Sequence, residues 1–291
     1  MLKRLLTLLF YVLFALSVIG VCLVLLFPRD KFLGWASSYI EKRHPGIHVS
    51  LADIKYVHPL KQRLYELYLS DDQKEWEIPV DTLLVSVEPR YPIDHIGVIG
   101  VMFGGDLSFD LGLTAAKRLE LRDLQISEML LTELIMLKRI VDRPVEGSVS
   151  LSGRATVDRR RLSDVRFTGT MRIDQFQTSL RQPVLDQTEV RFDRVDADIV
   201  LNGTIVDVTG GRAKGPLLSG DFSGQIRGTI PMSRSGISLS GDLVPQAALL
   251  EKHPALGDSL QAYFTRYRRN SIPYLIEGTV AEPQINFENF N

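Results

Sequence analysis

The residues of this chain that could do chemistry are few and scattered. Five histidines occur, at positions 44, 48, 58, 95 and 253. His44 and His48 are four apart, a spacing that on a helix would aim two imidazoles at one metal. Pro45 and Gly46 lie between them and interrupt any such helix. Asp71-Asp72 falls in a turn-like stretch. Asp106 and Asp110 fall on the polar side of an alternating segment, where carboxylates are solvated. The run from Gly97 to Gly105 is glycine-rich but lacks the Gly-Lys-Ser/Thr ending that grips phosphates. It reads as a coiling or bulged strand. Gly210-Gly211-Arg212-Ala213-Lys214-Gly215 lacks that ending too and reads as a hairpin turn. No Gly-x-Ser-x-Gly nucleophile elbow is present. Cys22 is the single cysteine and lies in an apolar run. No catalytic residue, metal ligand or cofactor site is read here, and the chain is expected to be non-enzymatic.

Charge narrows the partners. The chain has 34 basic and 35 acidic residues, a net charge of −1, which gives no reason to expect nucleic-acid binding. Two basic clusters, Arg159-Arg160-Arg161 and Arg266 with Arg268-Arg269, read as solvated loops. The alternative is contact with acidic lipid headgroups or an acidic partner.

The elements that must position these residues begin with an anchor. From Leu5 to Phe27 no residue is charged. As a helix this stretch is roughly 35 Å long, enough to cross a hydrocarbon core of about 30 Å. The apolar run extends well past Ser17, longer than a signal-peptide core, so an uncleaved single membrane span is expected. Lys3-Arg4 on one flank and Arg29 with Lys31 on the other nearly balance. Orientation therefore leans on the short N-terminal flank, with the bulk of the chain outside the cytoplasm. Residues 29–43 continue as a helix closed by Pro45-Gly46. Trp35 and Tyr39 on it lie near the expected membrane interface, where amphipathic aromatics sit.

From residue 47 the apolar period becomes two. Leu83, Val85 and Val87 share a face, as do Leu107, Phe109 and Leu111. Residues 128–142 break the pattern. Leu130, Leu131, Leu134, Leu137 and Val141 fit one helical face, with Ser127 as N-cap and Pro144 as terminator. Alternation then resumes: Val165, Phe167, Gly169, Met171 and Ile173 against Arg166, Thr168, Thr170, Arg172 and Asp174. Phe222, Gly224 and Ile226, then Ile237, Leu239 and Leu243, repeat it. Such alternation means antiparallel sheet with one wet and one apolar face. Seven copies of apolar-x-Gly-polar, centred on Gly153, Gly169, Gly203, Gly220, Gly228, Gly241 and Gly278, mark either bends within strands or hairpin ends. Residues 246–269 are helical, divided at Pro254.

This arrangement resembles the type II secretion system protein N family. The resemblance rests on Gly228-Thr229-Ile230-Pro231-Met232-Ser233, on Leu239-Ser240-Gly241-Asp242-Leu243-Val244-Pro245, and on Ile276-Glu277-Gly278-Thr279-Val280-Ala281-Glu282-Pro283. The 128–142 helix, the following Val145 to Gly153 and the N-terminal anchor also suit it. That family is in turn distantly similar to AsmA-like proteins, and Gly278-Thr279-Val280-x-x-Pro283 is similar to the way AsmA-like domains end. The resemblance implies a mainly β protein of the bacterial inner membrane, single-pass, with its C-terminal domain in the periplasm. It implies an accessory, structural role in type II protein secretion, with other secretion components as partners. The alternative it implies is an AsmA-like lipid-binding or lipid-transfer protein. Its fold would be a coiled antiparallel sheet forming a half-pipe or groove. The expected organisation is a tail at 1–4, the span at 5–27, a juxtamembrane helix at 28–46 and a first β region at 47–127. A helical interlude at 128–144 and a second β region at 145–291, continuous with the first, complete it. Val165, Phe167, Met171, Ile173, Phe222, Ile226 and Leu239 are the expected lining of an apolar groove. The same alternation also fits a closed, filled core.

Overall fold

The computed structural model describes residues 29–58, 61–72, 76–87, 95–114, 118–158, 161–185, 187–229 and 231–287. The expected tail and span, residues 1–27, lie outside them. Among the described residues no helix is long and apolar enough to cross a membrane.

Fourteen strands form one open antiparallel sheet, paired in strict chain order from β1 to β14. In the first half, β1 is Ile47–His58, β2 Lys61–Asp71, β3 Glu77–Val87, β4 Ile96–Met102, β5 Gly105–Leu113, β6 Leu119–Leu130 and β7 Val145–Asp158. In the second, β8 is Arg161–Val184, β9 Gln187–Asn202, β10 Ile205–Lys214, β11 Leu218–Arg227, β12 Gly236–Pro245, β13 Ile272–Thr279 and β14 Pro283–Phe287. Short turns such as Gly203-Thr204 between β9 and β10 favour a meander, and the longer connections after β6 and β12 return the chain to the neighbouring position all the same. Among the described residues one α-helix precedes the sheet, α1 at Arg29–Arg43, and three interrupt it: α2 at Ile135–Ile140, α3 at Ala247–Lys252 and α4 at Pro254–Tyr267. β6 pairs directly with β7 across α2, so the two β regions are one sheet.

Three expectations need correction. The helix read at 128–142 shrinks to a 3₁₀ turn at Leu131–Glu133 followed by α2. Ser127 is not a cap: it lies in β6 opposite Asp106. Leu130 stays extended because the Phe103 carbonyl and its partner Ser148 on β7 supply its backbone pairing. Second, Gly210-Gly211 is a bulge inside β10, not a hairpin turn, and the register jumps between Val208 and Gly211. Third, the run from Gly97 to Gly105 is β4, a turn at Phe103-Gly104 and the start of β5, rather than one strand.

Of the seven repeated glycines, Gly153, Gly169, Gly220, Gly241 and Gly278 lie within strands, whereas Gly203 and Gly228 sit at hairpin ends. Gly153 and Gly169 face each other across β7 and β8. A Cβ on Gly169 would meet the Phe167 ring at 2.6 Å and the Gly153 Cα at 2.8 Å. The missing side chains let Phe167 lie flat over the pair, as aromatic rings do over strand glycines.

Bulges also keep the apolar face continuous. On β8 the inward residues are odd-numbered through Met171 and Ile173. At Gln175, whose φ is 54°, the phase slips, and Phe176 and Thr178 continue the face. β6 does the same at Asp123, between Leu121 and Leu124.

The apolar face holds two buried clusters. One joins Leu107, Leu124, Ala155 and Phe167 beneath strands β5 to β8. The other joins Leu185 and Leu218 to Leu249 of α3, Leu260 and Tyr263 of α4, and Ile272 of β13. Helices α3 and α4 thus cover one end of the C-terminal half of the sheet. Pro254 starts α4, where its missing N–H costs nothing.

A candidate apolar groove

A cavity of about 430 Å³ lies on the apolar face between β7 and β14. It falls within the roughly 300–1,000 Å³ usual for small-molecule sites. Residues from all eight of these strands line it, from Val145 on β7 to Phe287 on β14. Eight strands laid flat would span roughly 34 Å. The sheet therefore curls enough for distant strands to bound one space.

Twist explains the other wall. Leu137 of α2 and the following Val141 line the cavity. α2 also touches the 3₁₀ turn Met232–Arg234, which joins β11 to β12 at the opposite end of the strand ladder. Neighbouring strands rotate by about 20–25°, so roughly five steps turn β11–β12 by over 100° relative to β6–β7. This rotation brings the two connections together. Arg139 holds α2 from its other side: its Nη2 donates to Oε1 of the buried Glu77 at 3.2 Å. Burial, and then the hydrogen bond to Glu77, push the Tyr68 hydroxyl above its ordinary pKa.

The lining is almost wholly hydrocarbon. Only Arg143, Thr178 and Tyr274 carry polar side-chain atoms. The Thr178 hydroxyl donates to the Pro144 carbonyl at 3.0 Å. The Tyr274 hydroxyl donates to the Asp221 carbonyl at 3.0 Å. Its pKa is pushed up to about 12, chiefly by burial and then by the Asp221 and Asp242 carboxylates. Arg143 forms no ion pair among the described residues. On the opposite face charges pair with one another. Asp196 accepts from Arg194 at 2.6 Å and from Arg172 at 3.1 Å. Those hydrogen bonds, Arg194 first, hold its carboxyl below the usual range.

Of the seven residues expected to line a groove, Ile173, Phe222 and Leu239 do so. Phe167 is buried in the separate cluster under β5 to β8, not in the groove. Met171, paired with Leu151 and Ala197, lies between cluster and groove on the same face. Val165 pairs with Val157 beyond Phe167, and Ile226 sits beside Ile237, itself a lining residue. Alternation assigns a face but not a position along the strand. The sequence reading missed Tyr274, Ile276, Ile285 and Phe287, although each pair alternates in the required way.

Trp35 and Tyr39 are exposed on α1 and stack with ring centroids 5.5 Å apart. His48 belongs to β1 and meets Asp72 at 2.8 Å, apart from any metal cluster. Among the described residues no group of three or more His, Cys, Asp or Glu is placed to hold a metal. Arg266, Arg268 and Arg269 are exposed at the end of α4, while Arg159 and Arg160 lie outside the described residues. No protein-family model, curated protein or solved structure matches the chain.

Proposed function

We propose that this chain is a membrane-tethered, non-enzymatic protein whose half-pipe sheet shelters an acyl chain in the groove between β7 and β14. The observation that carries this reading is the lining: 430 Å³ bounded by hydrocarbon, with two of its three polar side chains already committed to backbone carbonyls. Such a space offers an apolar chain a favourable transfer from water of about 25 cal/mol per Å² buried. Apart from Arg143 it offers a polar substrate no free side-chain partner. The N-terminal span, with Trp35 and Tyr39 at the interface, would hold the domain beside a lipid source at the bacterial inner membrane, facing the periplasm.

The test is photocrosslinking in living cells. A photoreactive amino acid placed at Leu239, in otherwise full-length protein, should capture radiolabelled lipid. The same residue at Ser238, on the opposite face, should not. Equal labelling at both positions, or none at Leu239, removes the reading.

A second reading is an accessory role in type II protein secretion. It draws on the family resemblance and on the open sheet, whose terminal strands β1 and β14 each leave one edge for strand addition by a partner. Deleting the gene and assaying secreted enzymes tests it, and unchanged secretion rejects it.

A further inference from the structure

We propose that Arg143 makes the groove selective for an anionic amphiphile, its guanidinium taking the carboxylate or phosphate head of a molecule whose acyl chain lies along the groove. The inference rests on the acyl-chain reading above and deepens it by naming the ligand class.

Three observations carry it. First, among the described residues Arg143 is the only lining side chain with a full charge, and it is half-buried, so it offers a cation where the hydrocarbon lining meets water. Second, it has no such counter-charge in the protein: it forms no ion pair among the described residues, and its neighbours Asp142 and Glu146 point into solvent. The other two polar lining side chains are spent on the Pro144 and Asp221 carbonyls. Arg143 is therefore the one polar side chain of the lining left to water, and so open to a ligand's head at the rim. Third, its backbone is held. The Arg143 N–H donates to the Val141 carbonyl at 2.8 Å, and Thr178 grips the next residue's carbonyl from β8. A planar guanidinium on a fixed backbone suits bidentate recognition of a carboxylate or phosphate, which a methylene chain does not need.

The geometry divides the ligand's two ends. The head meets Arg143 where the chain enters β7. The tail runs across Ile173, Phe222 and Leu239 toward β14. Both a free fatty acid and a phospholipid carry this chemistry, and the test separates them.

The experiment uses full-length protein in bilayer nanodiscs, presented with vesicles carrying one of three diazirine-tailed probes: palmitic acid, phosphatidylglycerol or diacylglycerol. Labelled groove peptides are quantified by mass spectrometry. The wild type should label with at least one anionic probe about tenfold more than with the headless diacylglycerol. Arg143→Gln should lower anionic labelling to the diacylglycerol level and leave diacylglycerol labelling unchanged. Arg143→Lys, which keeps the charge but loses the fork, should recover part of it and guards against a folding defect in the first variant. Preference for palmitic acid identifies a free acid as ligand, and preference for phosphatidylglycerol a phospholipid. Groove labelling that is indifferent to residue 143 overturns this inference while leaving the acyl-chain reading intact. No groove labelling by any probe overturns both.

Discussion

Gly169→Ala tests how closely β7 and β8 approach beneath Phe167. Placing a methyl in a strand ordinarily stabilises it by about 0.5–1 kcal/mol relative to glycine. Here the methyl has nowhere to go. Its carbon would lie 2.6 Å from the Phe167 ring and 2.8 Å from the Gly153 Cα, and closer still to the Ser152 carbonyl. The Phe167 ring could rotate. The Ser152 carbonyl and Gly153 Cα are backbone of the paired strand and can yield only if the ladder opens. Overpacking of this kind costs about 1–3 kcal/mol, and the backbone obstacle places it at the upper end. Set against the intrinsic gain, the net expectation is a loss of about 2 kcal/mol. Gly236→Ala is the matched control. It begins β12 with nothing within 4 Å of a new Cβ, so it should be neutral or stabilise by about 0.4–1 kcal/mol. Urea-dependent pulse proteolysis of the full chain in detergent micelles reads both variants. If Gly169→Ala matches or exceeds the wild type, the close approach is wrong, and with it the account of the in-strand glycines as seats for aromatic rings.

Three further outcomes follow from the same packing. Leu260→Ala removes a side chain that is 1% exposed between α4 and the sheet. It should cost about 3–5 kcal/mol, read as a lower urea midpoint. Tyr274 keeps its proton to about pH 12 when folded, against its ordinary 10. The stability it contributes is complete below pH 10 and declines as pH rises toward 12. Tyr274→Phe should flatten that alkaline decline and cost about 1 kcal/mol at neutral pH from the lost hydrogen bond to Asp221. Asp196 has a lowered pKa, so its contribution is present above the ordinary carboxylate range and fades as pH falls below it. Because the pair is largely solvated, Asp196→Asn should cost under about 1 kcal/mol at neutral pH and reduce the acid sensitivity of the urea midpoint.

The sequence by itself determined which residues face the same way. Alternation is local: successive Cβ atoms point to opposite sides of any strand, so Ile173 and Arg172 had to separate before any partner was known. It also determined where α1 stops and where α3 gives way to α4, because Pro45-Gly46 and Pro254 act on their own backbone. What only the tertiary structure decided depends on partners far along the chain. Leu130 fits a helical face by spacing but takes strand geometry because Phe103 and Ser148 satisfy its backbone. Gly203 makes a turn and Gly169 a ring seat in the same apolar-x-Gly-polar context, since the difference lies on the neighbouring strand. Phe167 and Phe222 share one face yet serve a filled cluster and an open groove respectively. Arg143 gained its place only when accumulated twist carried β11–β12 round to α2 and closed the wall beside it. Facing is a property of one residue and its neighbours, whereas enclosure is a property of eight strands and the angle between them.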